Sequence, residues 1–574
     1  MDNSHYARIL GEIAALAQIK GENRYKVRAY ENAARAVDNL SESLDERIDQ
    51  GTVEQIQGIG ESIAEDLRQI HVDGTCDLHR QLLAELEPGL LDMLQVQGLG
   101  PKRIKKIYEE LGVTTLGELK VAGEKHRLQE LSGLGKKTEQ KVLREIDRLE
   151  KSRGRTPLPQ ARRVAETMRD EIAELDSVER VAIAGSIRRG RETVGDIDLL
   201  VATDDPQAVT DCFTDFREIS EVIATGETKT SVLLVGGLQV DLRVVDAEVF
   251  GSALHYFTGS KEHHIELRTR AKREGLKISE YGVFEADDDE EPIASRTEEE
   301  VFEALGLPYI PPEIREGRGE IEAAEEGRLP DLVDEEAVCG DLHMHTTETD
   351  GRASIEQMAE AARELGWSYI AITDHSEAVT VANGMTPERF EAHIERIRAV
   401  NDEADGIEVL AGIEVDILKD GSLDMDHDLL KEADWVVASV HSHFNMDPDA
   451  MTERLLEAMQ TGLVSSMGHP TGRMLGGRDG YTYDFDAILE AAVEHGIAME
   501  INGSTGRLDL NAEMARTAAS RGAKLVLGSD AHSTRGLKAL RYAVQQARRG
   551  WLTADDILNT RSSDELLESV RPSL

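Results

Sequence analysis

The sequence predicts a multidomain chain in which a helical N-terminal region precedes a central α/β unit, a small α+β unit and a C-terminal distorted β/α barrel. At 574 residues the chain is too long for one hydrophobic core of ordinary size. Three observations indicate the classes: repeated Gly-x-Gly turns in helical sequence, a change to alternating helix and strand, and short apolar strands alternating with amphipathic helices after Val338. The predicted units are residues 1–85, 86–154, 155–250 and 251–317, a linker at 318–337, and the barrel at 338–574.

The composition is strongly acidic. The chain has 65 basic and 111 acidic residues, a net charge of −46, which by itself disfavours nucleic acid as a partner. Nine of the 19 lysines nevertheless fall between Lys102 and Lys151, so a local basic face remains on an acidic body. We interpret the excess of acid as a surface suited to a salty cytoplasm, a hypothesis that predicts a halophilic source.

Neither a membrane span nor a secretory signal is predicted. No apolar run is long enough to cross a bilayer, and the first residues do not have the pattern of a signal peptide. The three cysteines, Cys76, Cys212 and Cys339, are scattered, so neither a disulfide framework nor a cysteine-based zinc site is indicated. We expect a cytoplasmic protein, a monomer, without a membrane partner.

Three N-terminal segments share an apolar-x-Gly-apolar-Gly core that runs into a helical pattern. Glycines at this spacing let the backbone approach a partner closely and leave the first amides of the next helix free for a phosphate oxygen. A single copy is more often a plain turn in a helical hairpin. Three copies, two of them followed by Lys102 and Lys136, look like helix–hairpin–helix motifs that hold the DNA backbone. The glycines are Gly58, Gly60, Gly98, Gly100, Gly133 and Gly135.

The central unit contains an Asp-x-Asp pair, Asp196 and Asp198, in a predicted strand that follows Gly195. Period-two alternation puts both carboxylates on one side of the strand, where they can hold Mg²⁺ or Mn²⁺. Asp241, on another predicted strand, is a candidate third acid for a two-metal site in which one metal lowers the pKa of an attacking hydroxyl.

A glycine turn precedes this pair. Gly185 and Ser186 would offer amides and a hydroxyl to a triphosphate, and Arg189 would add positive charge. An isolated Asp-x-Asp is more often a solvated strand end. The turn and the third acid together favour a nucleotidyltransferase site.

Histidines and acids follow six apolar segments of the C-terminal part. A lone histidine at a strand end is more often packed or exposed than a ligand, but in a β/α barrel all such ends meet at one rim. Imidazole with carboxylate suits Mn²⁺, Zn²⁺ or Fe²⁺ rather than Mg²⁺ alone. Nine ligands predict two or three ions, with Glu414 as the bridging carboxylate, that direct hydroxide at a phosphoester. The candidates are His343, His345, Asp350, His375, Glu414, His441, His469, Asp530 and His532.

With these motifs, residues 1–317 resemble the family X DNA polymerases of the polymerase beta type, and residues 338–574 resemble the PHP (polymerase and histidinol phosphatase) domain. The resemblance implies a palm at 155–250, a thumb at 251–317, and filling of short gaps in DNA repair, including base excision repair. It also implies 3′→5′ exonuclease activity, with abasic-site endonuclease or 3′-phosphatase activity as alternatives. The expected partners are gapped or primed DNA and dNTPs.

The resemblance also assigns individual roles. Asp196, Asp198 and Asp241 become the catalytic triad, with Asp241 nearest the primer terminus, and Lys26 and Tyr30 match a pocket for the 5′-phosphate of a gap. His264 stands where many relatives have an asparagine. The positions matched to the incoming nucleotide and its surroundings are Arg155, Gly185, Ser186, Arg189, Gly195, Tyr256, Phe257, Gly259, His264 and Arg268.

Three other functions fit parts of the pattern. A nucleotidyltransferase acting on RNA is disfavoured by the motif around Tyr256 and by the hairpin repeats. A DNA-binding scaffold with decayed sites is disfavoured by the intact acids and the nine ligands. A small-molecule phosphatase with a DNA-targeting arm is the third alternative.

One activity of beta-type enzymes is not expected here. Asp66 stands where they carry the lysine that forms a Schiff base with an abasic sugar, and Ser62 replaces another lysine. Because a carboxylate cannot replace an amine in that chemistry, we predict weak or no deoxyribose-phosphate lyase activity. Borohydride trapping on an abasic substrate should give little covalent adduct, and a strong adduct would refute the prediction.

Overall fold

The computed structural model describes residues 3–38, 40, 43–87, 89–96, 98–152, 154–286, 291–403 and 406–570. The chain divides into two compact units, Met1–Arg153 and Gly154–Leu574. Within the described ranges no helix combines the length and apolar character that a membrane span needs.

The first unit is entirely helical in its described part, and it has two cores. The first five helices pack around Leu10, Val27 and Leu67, and the last four pack around Leu90 and Ile104. The helices are α1 Asn3–Lys20, α2 Arg24–Asp38, α3 Leu44–Asp49, α4 Glu61–Asp73, α5 Asp77–Glu85, α6 Gly89–Leu94, α7 Pro101–Leu111, α8 Leu116–Glu124 and α9 Lys136–Ser152.

The second unit begins with a five-stranded sheet of order β2-β4-β7-β6-β5, beside a short β1–β3 pair. Strands β4 and β7 are parallel and the other neighbours in the sheet are antiparallel. The strands are β1 Thr156–Pro157, β2 Val178–Ile183, β3 Thr193–Val194, β4 Asp196–Thr203, β5 Ile219–Thr225, β6 Lys229–Leu234 and β7 Gln239–Val245; the helices are α10 Leu158–Ala173, α11 Gly185–Arg188 and α12 Pro206–Thr214.

The core of this sheet is completed by residues from far along the chain. Leu508 and Tyr542, which belong to the C-terminal barrel, lie in the same buried cluster as Leu199, Phe213 and Leu242. The barrel therefore contributes side chains to the hydrophobic core of the sheet, besides having a core of its own.

A small α+β unit follows the sheet, and the stretch that we expected to be a linker packs against it. Ile321, Ala324 and Leu332 share a buried cluster with Val301 and Phe302, so residues 318–337 are structured and packed. The linker prediction rested on their Gly- and Glu-rich composition and overlooked the few apolar side chains that pack into the cluster. The elements are α13 Phe250–Thr258, α14 Lys261–Arg273, β8 Leu276–Ser279, β9 Gly282–Glu285, α15 Glu298–Ala304 and α16 Glu320–Glu325.

The C-terminal part is a parallel seven-stranded barrel with strands in sequential order, so the predicted fold class is confirmed. Helices cover it and its strands are buried on both faces, as parallel sheets require. The strands are β10 Gly340–Asp341, β11 Tyr369–Ile372, β12 Glu408–Asp416, β13 Trp435–Ser439, β14 Ser466–Met467, β15 Ala498–Asn502 and β16 Leu525–Gly528. The helices are α17 Ile355–Glu364, α18 Pro387–Glu403, α19 His427–Glu432, α20 Pro448–Met459, α21 Phe485–His495, α22 Ala512–Ser520, α23 Leu540–Arg549 and α24 Ser563–Ser569.

The seam between β10 and β16 closes the barrel. Met344 and Ala531 form a parallel bridge just beyond the two strands. Between the two strands themselves lies the buried Asn559. It accepts from the Leu527 amide of β16 at 2.7 Å and donates to the carbonyls of Gly340 of β10 and of Leu527, each at 2.9 Å. One side chain thus replaces strand pairing at this point.

Replacing Asn559 with alanine removes all three hydrogen bonds and leaves buried backbone groups unpaired. We expect Asn559→Ala to lower the free energy of unfolding by about 2–4 kcal/mol, measured by denaturant titration of the full chain. Asn445→Ala, at an exposed asparagine, is the matched control and should change the midpoint little. Equal midpoints for the two variants would contradict this role of Asn559.

Candidate metal centres and glycine turns

The three predicted acids of the central sheet lie together. Asp198 on β4 is directly opposite Asp241 on the parallel strand β7, and Asp196 is two residues earlier on β4. The start of α11 leaves room for the Asp198 carboxylate only because residue 185 is glycine. Gly185 has a φ of +62°, and a Cβ there would lie 2.2 Å from Asp198 Oδ2.

The carboxylates differ in their electrostatic surroundings. Burial, together with repulsion from Asp196 and Asp241, raises the pKa of Asp198 to about 7. Burial would also raise the pKa of Asp241, but hydrogen bonds from Lys229, Ser231 and Gln239 hold it below its usual value. Lys229 Nζ is 2.7 Å from Asp241 Oδ2. Three converging carboxylates that repel one another fit a divalent cation with oxygen ligands, such as Mg²⁺.

Two arginines expected near a triphosphate are already paired within the protein. Arg155 donates from Nε to Thr193 Oγ1 at 2.9 Å. Arg189 donates from Nε to Glu316 at 3.1 Å and from Nη1 to the Thr258 carbonyl. Contact of either with a nucleotide stays a prediction and requires these pairs to exchange.

The aromatic motif of α13 packs against α14. His264 stacks on Tyr256 with ring centroids 5.5 Å apart and donates from Nε2 to the Tyr256 carbonyl at 2.9 Å. Burial lowers the pKa of His264 to about 4, so at neutral pH Nδ1 is an acceptor. The Arg268 guanidinium lies 5.5 Å from the Tyr256 ring centroid, and Phe257 carries Arg243 over its ring at 4.2 Å. Gly259, at the end of α13, would place a Cβ 2.9 Å from Arg189 Nη1.

All nine candidate ligands of the C-terminal part meet at one rim of the barrel. They form four overlapping groups whose ligand atoms lie within 4.8 Å of one another. The groups are His345, Asp350, His375 and His532; His343, His345 and Asp530; His343, Glu414 and His469; and His375, Glu414 and His441.

Glu414 lies at the centre of these groups. Its carboxylate is 1% exposed and has five imidazoles around it. Burial alone would raise the pKa of Glu414, but the neighbouring histidines hold it well below its usual value. The distances from the carboxylate to ring nitrogens of His375, His469, His441, His343 and His345 are 2.8, 2.9, 3.4, 3.5 and 3.7 Å.

The buried ring nitrogens of the rim are suited to coordinate metal ions. Nε2 of His343 and both ring nitrogens of His345 are buried without a hydrogen-bond partner. A buried polar atom left in this state is costly, and coordination would satisfy it. The mixed imidazole and carboxylate donors fit Mn²⁺, Zn²⁺ or Fe²⁺.

Several residues that the sequence analysis missed or left unassigned support these ligands. Glu500 on β15 accepts from His343 Nδ1 at 2.7 Å and from the His469 amide at 2.5 Å. Asp416 lies 3.2 Å from His441 Nδ1. The buried Asp374, which precedes the ligand His375, accepts from Thr346 Oγ1 at 2.6 Å. Glu500 is the middle residue of β15, so a rule that marks residues at strand ends does not find it.

The three Gly-x-Gly segments adopt one geometry in the helical unit. Gly58, Gly98 and Gly133 have φ values of +94°, +95° and +88°. The carbonyls of the second glycines accept from amides of the third or fourth residue of α4, α7 and α9. A Cβ at Gly58, Gly60, Gly100, Gly133 or Gly135 would meet nothing within 4 Å, so these turns are open to a partner's backbone, and DNA binding there stays a prediction.

In the predicted 5′-phosphate pocket, Tyr30 has a carboxylate as its partner, which the sequence analysis did not expect. Tyr30 on α2 donates to Asp66 on α4 at 2.5 Å, and Lys26 lies 3.8 Å from Glu22. A carboxylate next to Tyr30 opposes a phosphate at that position, while the side chain at position 66 remains unable to form a Schiff base.

Comparison with protein families places each region. The chain matches a helix-hairpin-helix domain over residues 1–76 and a SAM-like helix-hairpin-helix tandem over 90–148. It matches the DNA polymerase beta palm over 155–245, the DNA polymerase beta thumb over 253–316 and the PHP domain over 341–504.

Individual relatives extend this picture. The chain is 40% identical over 564 residues to the DNA polymerase/3′-5′ exonuclease PolX of Bacillus subtilis (strain 168), a match covering 98% of each chain. Probable phosphatases of Thermoanaerobacter sp. (strain X514) and Vibrio atlanticus (strain LGP32) are 29% and 32% identical over 232 and 206 residues. These matches cover 38% and 33% of this chain and 89% and 77% of theirs. The salty cytoplasm gains no support from these relatives and stays a prediction.

The contact between Glu500 and His343 Nδ1 generates a test of the rim. Glu500→Gln keeps the size of the side chain but removes the charge that orients this imidazole, so we expect the affinity for Mn²⁺ or Zn²⁺ to fall about 10–100-fold. Metal titration followed by calorimetry measures it. Glu513→Gln, on the exposed surface of α22, is the control. An unchanged affinity in Glu500→Gln would remove Glu500 from the metal site.

Proposed function

Because the chain belongs to the family X DNA polymerases that carry a C-terminal PHP domain, we propose that it is a DNA polymerase with 3′-5′ exonuclease activity that fills short gaps in DNA repair. The observation that carries the proposal is the presence of two chemically different centres in one compact unit. One has three carboxylates on parallel strands, and the other has nine histidine and carboxylate ligands at a barrel rim.

For synthesis, Asp196, Asp198 and Asp241 would hold two Mg²⁺ or Mn²⁺ ions. When bound, these ions lower the pKa of a primer hydroxyl and offset the charge of the triphosphate. Lys229 and Gln239 fix the Asp241 carboxylate on β7, nearest the expected primer terminus. The Gly185–Ser186 turn supplies donors to the triphosphate, and Tyr256 supplies a flat face for the incoming sugar.

For hydrolysis, the nine rim residues would hold two or three Mn²⁺, Zn²⁺ or Fe²⁺ ions. When bound, the ions supply hydroxide at neutral pH. Arg507 Nε lies 3.2 Å from Asp530 Oδ2 and brings positive charge beside the ligands, where a phosphodiester would dock. Glu500 and Asp416 keep His343 and His441 in the orientations that face the rim.

Gapped or primed DNA is the proposed substrate. The open glycine turns at Gly58, Gly100 and Gly133, with Lys102 and Lys136 at the helix starts, support sequence-independent binding of the backbone. The excess of acid elsewhere confines this binding to a small part of the surface.

A second activity for the barrel is removal of a 3′-phosphate. The similarity of part of the chain to probable phosphatases favours it. A primer that ends in a 3′-phosphate distinguishes the two activities, since a phosphatase releases inorganic phosphate and an exonuclease releases a nucleotide.

The two activities should be separable by single substitutions. On a one-nucleotide gap, Asp198→Ala should lower synthesis by a factor on the order of 10³ or more and leave metal-dependent exonuclease activity unchanged. His343→Ala should do the reverse, so each variant is the control for the other. Synthesis that survives Asp198→Ala would refute the polymerase site, and exonuclease activity that survives His343→Ala would refute the rim.

A further inference from the structure

Helix α23 of the barrel lies directly against the Arg189–Gly190 turn at the end of α11, the short helix whose start, Gly185–Ser186, we expect to meet a triphosphate. Gln546 Nε2 donates to the Gly190 carbonyl at 3.0 Å, and Arg549 Nη1 donates to the Arg189 carbonyl. Gly190 has a φ of +69°, and a Cβ there would fall 2.5 Å from Gln545 Cγ. The turn therefore fits closely onto the helix, and two of its carbonyls are satisfied by side chains of the barrel.

The charge of this turn depends on Glu316, a carboxylate that three arginines share. Glu316 Oε1 accepts from Arg189 Nε at 3.1 Å and from Arg549 Nη1 at 3.0 Å. Its Oε2 accepts from Arg191 Nη1 at 3.2 Å. The side chains of Arg189, Glu316 and Arg549 are 12%, 7% and 7% exposed, so water screens these interactions only weakly.

A buried carboxylate must be compensated by its neighbours. Arg191 is 41% exposed and is the weaker partner. Arg189 and Arg549 therefore provide most of the positive charge that compensates Glu316. An arginine that is fully neutralised by a carboxylate is a poor ligand for phosphate. The more of the Glu316 charge Arg549 compensates, the more readily Arg189 can leave Glu316 and pair with another anion.

We propose that Arg549 and Gln546 of the barrel are positioning residues of the polymerase reaction: both hold the Arg189–Gly190 turn, and Arg549 also shares Glu316 so that Arg189 can bind the triphosphate. Both side chains are buried, so we assign neither of them a contact with DNA or nucleotide. The inference rests on the proposed polymerase function and adds that the nucleotide site is completed by the second enzyme of the chain.

The test is steady-state gap filling by the full-length Arg549→Met variant. Methionine keeps much of the length of the side chain but removes its charge and donors, so Glu316 should hold Arg189 more tightly. We expect KM for the incoming dNTP to rise about tenfold, with kcat within about twofold. Exonuclease activity on single-stranded DNA should not change. If wild-type protein synthesises DNA and Arg549→Met has an unchanged KM, the inference is wrong.

Two further variants separate positioning from loss of interface stability. Arg548→Met removes the charge of the residue just before Arg549 in α23. Arg548 donates to Glu313 at 2.7 Å and to the Val333 carbonyl at 2.9 Å. An equal rise in KM for Arg548→Met would mean that any loosened contact has this effect and would overturn the proposal. In the Arg549→Met background, Glu316→Gln should return KM towards the wild-type value, because the competing charge is gone; a further loss would also overturn it.

A second test uses the Gln546→Met variant, which removes only the hydrogen bond to the Gly190 carbonyl and keeps the ion pairs of Glu316. Its KM for dNTP should rise a few-fold, about the effect of one net hydrogen bond. This variant keeps the proposal testable if Arg549→Met folds poorly, since an unchanged KM in folded Gln546→Met would then refute it. Absence of any synthesis by wild-type protein would refute the proposed function as well.

Discussion

The burial of one carboxylate, Glu414, is the constraint on which the barrel rim depends. A charge that is 1% exposed is stable only when opposite charge or hydrogen-bond donors surround it. Five histidines from four strand ends, those of β10, β11, β13 and β14, provide that surrounding, and the closed barrel brings these ends together. Barrel closure and the ligand cluster therefore stabilise each other, and Asn559 serves both although it lies away from the rim.

The polymerase centre solves the opposite electrostatic problem. Here acids converge on acids, and Lys229 is the cation that holds one of them. Repulsion of this kind favours a hard divalent cation with oxygen ligands, whereas an acid surrounded by imidazoles favours softer metals. Two centres with different demands can therefore work in one unit without competing for one ion. The acids lie near the starts of β4 and β7, whereas the rim ligands lie at the carboxyl ends of the barrel strands, so the two sites differ in position as well as in side chains.

Local patterns in the sequence predicted much of this, and contacts between distant segments account for what they did not. The Asp-x-Asp pair follows from strand periodicity, and the rule that barrel strand ends meet at one rim predicted that all nine rim residues lie together. Glu500 was missed because it is the middle residue of β15 and not its end, and because Ile501 is the one β-branched residue of that strand. The packing of residues 318–337 depends on where Ile321 and Ala324 meet α15. The sharing of Glu316 by Arg189 and Arg549 joins positions more than 200 residues apart, which no local pattern can reveal.

The shared core of sheet and barrel has a consequence for how such a gene can change. Leu508 and Tyr542 are buried among residues of the polymerase sheet, so a stop codon before the barrel would leave apolar surface uncovered and the nucleotide turn without its support. A lineage that no longer needs the nuclease can lose it by point substitutions at the rim, while the body of the barrel is retained. Inactive barrels that persist on working polymerases are the outcome that this packing favours.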